Sequence, residues 1–398
     1  MPMKSFKYRI YPNKANAEEL QWTLDRCREL YNAALAERKE AYRMAGKQIS
    51  YFDQKRDLVE IKSEIRPEYK EIGSQVLQDV ILRVEKAYKA FFRRVKNGEK
   101  PGFPRFQGRN RYNSFTYPGI AGWKFVPGEK KHAKLILSKI GTINVKMHRP
   151  IEGKTKACTI KREGEHWYVS FMCEVKAEIL PVSYEDAGID LGITHFAACS
   201  DGSMIDNPRH YRKAEKRLKK LQQSLSRKKK GSHRRKKAVK AVANAHRKIR
   251  NQRKDFLHKE SRKLVNRYQV IVFEDLKPAN LSKAPKPKQD ENGKYLPNGA
   301  AAKSGLNKSI NDAGWSSFTE MVKAKAECAG RTVIFVNPSY TSQVCSGCGT
   351  IAKKDLSERW HSCSCGCELD RDTNAAINIL RLGQKELLVR AVPTQAIA

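Results

Sequence analysis

Three short stretches of the chain put carboxylates beside apolar runs, and carboxylates in such places can do chemistry. Asp190 lies within the run 187–199, which reads as one buried strand ending at the hairpin signal Asp201-Gly202. Gln269-Val-Ile-Val-Phe-Glu-Asp-Leu276 repeats the design, with Glu274 at the end of an apolar strand. Asp370-Arg-Asp372 opens a helix whose Ala375, Ala376, Ile379 and Leu380 follow helical spacing. An unpaired buried carboxylate costs several kcal/mol in desolvation, so these acids are expected to meet a metal or another charge. Two strand ends and a helix start can converge on a pair of divalent cations. Such a pair, ~3.5–4 Å apart, holds the attacking and leaving oxygens of a phosphodiester in line, and oxygen ligands suit magnesium or manganese. Singly, each acid reads more simply as a turn or helix cap.

The cysteines form a second group. Five of the ten lie between Cys345 and Cys367, and the others are scattered through apolar segments as expected for reduced core thiols. Cys345-x-x-Cys348, met by Cys363-Ser-Cys365-Gly-Cys367, supplies four thiolates for one tetrahedral structural zinc. The spacing favours Cys345, Cys348, Cys363 and Cys365; Cys367 is the main rival for one position and His361 a lesser one. Such a zinc site would hold Asp372 against the sheet.

The elements that must carry these groups sit in a very basic chain. Its 398 residues suffice for two or three domains, and 79 Lys and Arg against 42 Asp and Glu leave a formal charge of +37. That excess calls for a polyanion. Nucleic acid is the better candidate, because no apolar run approaches the ~20 residues of a membrane-spanning helix and the N-terminus reads as a strand instead of a signal peptide, so a cytoplasmic location is expected. Between Arg209 and Arg262 there are 23 basic residues against 3 acidic ones, on two helical patterns joined by Arg227-Lys-Lys-Lys-Gly-Ser-His-Arg-Arg235. This predicts a helical hairpin with a basic tip: Lys228, Lys229, Lys230, Arg234 and Arg235.

Residues 4–10 alternate as a strand; helices follow from Ala17 and over 74–96. Arg105, Arg109 and Arg111 interleave with Phe106, Tyr112, Phe115 and Tyr117, a pattern that either stacks bases and holds phosphates or covers a sheet. Strands over 135–137, 143–147, 158–161 and 167–175 complete, with the first strand, one small barrel interrupted by the helices. The Lys-, Pro- and Gly-rich stretch 282–308 reads as a disordered linker or an active-site lid.

Gly188-Ile-Asp-Leu-Gly192, Phe273-Glu-Asp-Leu276, Asp312-Ala-Gly-Trp315, Thr341-Ser-Gln-Val-Cys-Ser-Gly-Cys-Gly349 and Asp370-Arg-Asp-Thr-Asn-Ala-Ala376, in this order, resemble the TnpB family of insertion-sequence-encoded, RNA-guided nucleases related to type V CRISPR effectors. The resemblance implies an α/β multidomain protein. It comprises a wedge barrel over 1–14 and 105–180, a helical recognition lobe over 15–104, and an RNase H-like RuvC nuclease domain over 181–340 and 370–380. A zinc ribbon over 341–369 and a tail over 381–398 complete it. By motif, Asp190, Glu274 and Asp372 take the catalytic, magnesium-binding places, and Asp370 is a helix cap or a partner of Arg371. The implied partners are a guide RNA derived from the transposon end and double-stranded DNA with a short adjacent motif, with no obligatory protein partner. By position, Tyr51, Gln75, Gln78 and Thr116 are the candidates for reading that motif, and the recognition lobe grips the guide–target duplex through its backbone. The implied activity is cleavage of both DNA strands by two-metal-ion hydrolysis. The alternatives are an RNA-guided DNA-binding repressor or a transposition accessory factor without cleavage. Such proteins typically lose the acids, and all three are present here.

Overall fold

A computed structural model describes residues 1–391 except 110, 130, 131, 353, 354, 356 and 357. It divides into two units, Met1–Lys176 and Ala177–Ala398.

In the first unit, β1 (Met3–Tyr11) alternates as the sequence demands, burying Phe6, Tyr8 and Ile10. Asn13 then caps α1 (Lys14–Ala45), its side-chain oxygen accepting from the Asn16 N–H at 2.7 Å. A Ser50–Asp53 capping box opens α2 (Tyr51–Glu60), a helix the apolar spacing does not announce, and α3 (Ser74–Lys96) follows. Buried Arg38 of α1 donates to Gln54 of α2 at 2.8 Å and to Glu85 of α3 at 2.7 Å. Six strands come next: β2 (Ser114–Tyr117), β3 (Trp123–Pro127), β4 (His132–Leu137), β5 (Gly141–Lys146), β6 (Lys154–Glu163) and β7 (His166–Glu174). With β1 they form one antiparallel sheet in the order β2-β6-β7-β1-β5-β4-β3, and among the described residues no ladder joins β2 to β3. Helices and strands share a single hydrophobic core. Tyr112, Phe115 and Tyr117 belong to that core, so of the two readings of the Arg–aromatic stretch, covering a sheet holds for these three.

The second unit is built on a five-stranded sheet. The run 187–199 is two strands and not one: β8 (Asp186–Asp190) and β9 (His195–Cys199) pair antiparallel, and the chain turns just after Asp190. β10 (Met204–Asp206) follows the expected Asp201-Gly202 turn, with Gly202 at φ 84°. The basic hairpin is α4 (His210–Ser226) and α5 (His233–Arg267), which leads into β11 (Val270–Glu274).

The stretch 282–308 is ordered, contrary to its composition. After α6 (Pro278–Leu281), β12 (Lys288–Gln289) and β13 (Tyr295–Leu296) form a small hairpin, and α7 (Ala300–Ala313) begins within the stretch. Three alanines at its start favour helix, and Asn307 and Lys303 tie it to the carbonyls of Ser282 and Leu281 at 2.8 Å each. Next come α8 (Trp315–Ala329), β14 (Thr332–Val336), a two-stranded ribbon of β15 (Trp360–Ser362) and β16 (Glu368–Asp370), and α9 (Arg371–Ala391). Helix α9 continues through much of the expected tail; residues 392–398 lie outside the described ones.

The sheet order is β10-β9-β8-β11-β14, with β8, β11 and β14 parallel and β9 pairing antiparallel with both β8 and β10. Helices cover both faces, α5 and α8 on one and α9 on the other, which is why β11 reads as a continuous apolar run without alternation. The Asp312-Ala-Gly-Trp315 motif serves this packing. Buried Asp312 accepts the Tyr211 N–H at 2.8 Å and pairs with Arg253 at 3.2 Å, and Gly314, at φ 73°, makes the left-handed link between α7 and α8. No helix among the described residues is long and apolar enough to cross a membrane.

Candidate active site

The period of a strand decides where the acids point. Along β8, Ala187 and Ile189 enter the core with α5 and α8, and along β11 so do Ile271 and Phe273. Gly188, Asp190, Val272 and Glu274 therefore face the other side, which α9 covers. That helix lies unusually close. A Cβ on Gly188 would collide with the Ala376 carbonyl and the Leu380 nitrogen, and one on Gly383 with Val272. Two glycines thus let backbone meet sheet, and the first turn of α9 arrives beside Asp190 and Glu274 carrying Asp372. Asp370, just before it, spends its Oδ1 on the N–H groups of Asp372 (2.8 Å) and Thr373 (3.3 Å) as the helix cap.

The electrostatics record the convergence. Burial, then the charges of Glu274 and Asp372, push the Asp190 carboxyl up to about 8 against the pull of Arg371 and the Leu191 N–H. Burial also raises Glu274, and burial and Asp370 raise Asp372, although Arg359, His195 and Arg371 oppose the latter. Arg359 comes no nearer to Asp372 than 3.9 Å. Asp190, raised both by burial and by the two neighbouring carboxylates, is better held with a cation beside it, and hard oxygen donors of this kind suit magnesium or manganese.

Sequence reasoning passed over the residues that brace this group. Buried Thr341 donates its hydroxyl to Glu274 Oε1. Asn378 donates to the carbonyls of Thr341 (2.9 Å) and Val344 (2.7 Å). Asn374 donates to Val344 O and accepts the Ser346 N–H, both at 2.8 Å, and Arg381 donates to Ser346 O. Asn374 is fully buried and Asn378 nearly so. Two asparagines four apart among the apolar positions of a helix was the available signal, since a buried amide must be satisfied by something specific. Together they fasten segment 341–346, which begins at the acids and ends at the first cysteines, onto α9.

The Sγ atoms of Cys345, Cys348, Cys363 and Cys365 lie within 4.8 Å of one another, with Cys345–Cys365 at 3.7 Å and Cys348–Cys363 at 3.6 Å. Zinc–thiolate bonds of ~2.3 Å give a tetrahedron with edges of ~3.8 Å, so the four fit a structural zinc ion. The Cys348 N–H, His361 and the Gly347 N–H hold the Cys345 thiol down to about 5. Against the Cys367 N–H, the sulfurs of Cys348, Cys363 and Cys345 push Cys365 up to about 12. Cys345, His361 and Cys367 also group within 4.8 Å.

The expected nucleic-acid contacts are dispersed. Tyr51 starts α2, half-buried, and Gln75 and Gln78 lie in the first turns of α3. Thr116 is a tie within the unit: its hydroxyl accepts from Arg83 of α3 at 2.9 Å and bonds Thr159 at 3.0 Å, which leaves it poorly placed to read a base. Arg105 is exposed beyond α3. At the hairpin tip, Lys229, Lys230 and Arg234 are exposed and Lys228 is half-buried. Arg235 departs from the expectation: its guanidinium turns back to the carbonyls of Leu225 (3.0 Å) and Lys228 (3.1 Å) and holds the tip together.

Residues 170–284 match the family described as "Probable transposase", 315–379 that described as "Cas12f1-like, TNB domain", and 1–47 that described as "Helix-turn-helix domain". In this chain the last segment is β1 followed by one uninterrupted helix. A protein of Escherichia coli (strain K12) named "Putative RNA-guided DNA endonuclease InsQ" is 33% identical over 390 residues, 97% of this chain and 93% of that protein. A "Putative RNA-guided DNA endonuclease" of Streptomyces pristinaespiralis is 33% identical over 387 residues, 96% and 89% of the two chains. The solved structure of CasPhi-2 (Cas12j) bound to crRNA aligns with 95% of this chain and 97% of its own at 11% identity and a TM-score of 0.45. With full-length relatives at this identity and the family's motifs on the elements just described, the chain belongs to the TnpB family.

Proposed function

We propose that this protein is an RNA-guided DNA endonuclease with a RuvC-type, RNase H-like nuclease unit, which cuts double-stranded DNA beside a short adjacent motif chosen by an RNA it carries. The observation that supports this best is the meeting of Asp190, Glu274 and Asp372 on one face of a mixed five-stranded sheet, each raised by burial. Divalent cations bound there would activate the attacking water and neutralise charge on the scissile phosphate. The chain's own part is positional. Thr341 orients Glu274, the Asp370 cap and the Gly188 contact set the height of Asp372, and Asn374 and Asn378 join these to a zinc-stapled knuckle. The names of the full-length relatives agree with this reading, and the excess of basic charge supplies the counter-charge for guide RNA, derived in this reading from the transposon end. In it, Tyr51, Gln75 and Gln78 remain the candidates for the adjacent motif.

The test is to sequence the RNA that copurifies with the protein and to supply magnesium and a plasmid library carrying its match beside randomised bases. Cleavage confined to one adjacent motif is expected. Asp190→Ala, Glu274→Ala and Asp372→Ala should each lower it by about a thousandfold or more while RNA and target binding persist. Cleavage by Asp190→Ala within about tenfold of wild type would overturn the assignment. Tight, motif-specific binding by the wild type without any cutting would identify a repressor.

A further inference from the structure

The cysteine knuckle has more donors than one tetrahedral ion can use. We propose that it has a second metal seat, which shares Cys345 with the four-thiolate one. This seat consists of Cys345 Sγ, a ring nitrogen of His361 and Cys367 Sγ, and takes a thiophilic d10 ion such as zinc, with the Cys345 thiolate bridging. The inference rests on the four-thiolate zinc reading above.

Two donor sets, each with all its ligand atoms within 4.8 Å, share Cys345 and nothing else. Cys345 is fully buried and Cys348 and Cys365 are exposed, so the shared sulfur is the inner one of these three. In the second set His361 is fully buried in the middle of β15, opposite Leu369 of β16. Cys367 reaches the same point through a tight turn in which the Gly366 N–H donates to Cys363 O at 2.9 Å and the Cys363 N–H to Cys367 O at 3.1 Å. Ser346 Oγ stands 3.8 Å from Cys367 Sγ, where it or a water could complete a tetrahedron. The backbone makes room for both sets at Gly347. A Cβ there would lie 3.0 Å from Cys367 Cβ, 3.2 Å from Cys365 Sγ and 3.5 Å from Cys345 Sγ.

The chemistry favours sharing. A zinc ion bound by four thiolates leaves excess negative charge on sulfur, and thiolate sulfur keeps lone pairs that a second soft cation can use. His and Cys together suit zinc and are poor ligands for magnesium, so this seat would not compete for the ions at the carboxylates.

The test uses the full-length protein, equilibrated with zinc, desalted, and measured for metal per chain by native mass spectrometry alongside Cys367→Ser and His361→Gln. Both variants keep all four thiolates of the first seat, and any zinc at the carboxylates counts equally in all three proteins. Wild type should exceed each variant by about one ion, and Cys367 in the loaded wild type should resist alkylation. Equal metal in wild type and Cys367→Ser, with Cys367 alkylated at the rate of a free thiol, overturns the second seat and leaves the first standing. Folded wild type without thiolate-bound zinc overturns both. Should the buried His361 tolerate no change, the comparison with Cys367→Ser decides alone.

Discussion

Asp190 is expected to make the metal-free protein less stable as pH rises. Its folded carboxyl sits at about 8 and an unfolded one near ~3.9, so the unfolded state loses this proton first. Its contribution is greatest below about pH 4 and is lost progressively as pH climbs to about 8. Melting of the second unit in EDTA should therefore show Asp190→Asn, which cannot ionise, above wild type at pH 8 by ~2–4 °C, the shift of roughly 1 kcal/mol in a unit of this size. The gap should close toward pH 5, and stabilisation of wild type by magnesium should grow over the same interval because the bound form is ionised. An Asp190→Asn protein that melts below wild type at pH 8 would mean that the carboxylate is compensated from within the fold. Thr341 offers a second residue-level test. Valine keeps its shape and removes the hydroxyl that orients Glu274, and losing such an outer partner of a ligand typically costs ~10–100-fold in metal affinity or activity. Thr341→Val should show that deficit in cleavage with RNA binding intact and Thr341→Ser near wild type; full cleavage by the valine variant would leave Thr341 no part in the site.

At the scale of elements, the seating of α9 on β8 sets how far Asp372 stands from Asp190. Gly188→Ala would place a methyl group against the Ala376 carbonyl, and neither backbone can yield without lifting the helix. Overpacking of this kind costs ~1–3 kcal/mol, so denaturant midpoints should fall accordingly. Cleavage should drop by more than the folded fraction does, because a shift of about 1 Å in a ligand is enough to impair catalysis. If activity per folded molecule is unchanged, α9 is less critical to the site than its packing suggests.

Across the whole molecule the dominant quantity is charge. The stretch 209–262, which spans most of the α4–α5 hairpin, carries an excess of 20 within a total of +37. Changing Lys229, Lys230 and Arg234 to Glu should weaken RNA binding and flatten the dependence of log affinity on log salt by ~0.7–0.9 for each phosphate no longer neutralised. Cleavage should return as RNA concentration is raised, since the defect is in assembly. Arg235→Ala should behave differently, loosening the tip with a smaller change in salt slope, because that guanidinium serves the carbonyls of Leu225 and Lys228. An unchanged slope in the triple variant would make the tip a solvated face.

What the sequence by itself determined is local or additive: the charge, the apolar runs of β11 and β14, the helix over 74–96, and the residue types that could ligate zinc and magnesium. Each is read from neighbours a few positions apart. The tertiary structure decided whatever depends on pairing across long separations. It broke the run 187–199 into two antiparallel strands, so that Asp190 ends a strand instead of lying within one. It ordered 282–308 against the helix whose start that stretch contains, a tie by single side chains that composition does not carry. It gave Thr341 to Glu274, 67 residues away, and turned Asn374 and Asn378 from a motif and a helix position into the link between acids and cysteines. Periodicity shows which face of an element is buried, but the partner of a buried hydroxyl or amide is set by which elements meet there, and only the assembled core fixes that.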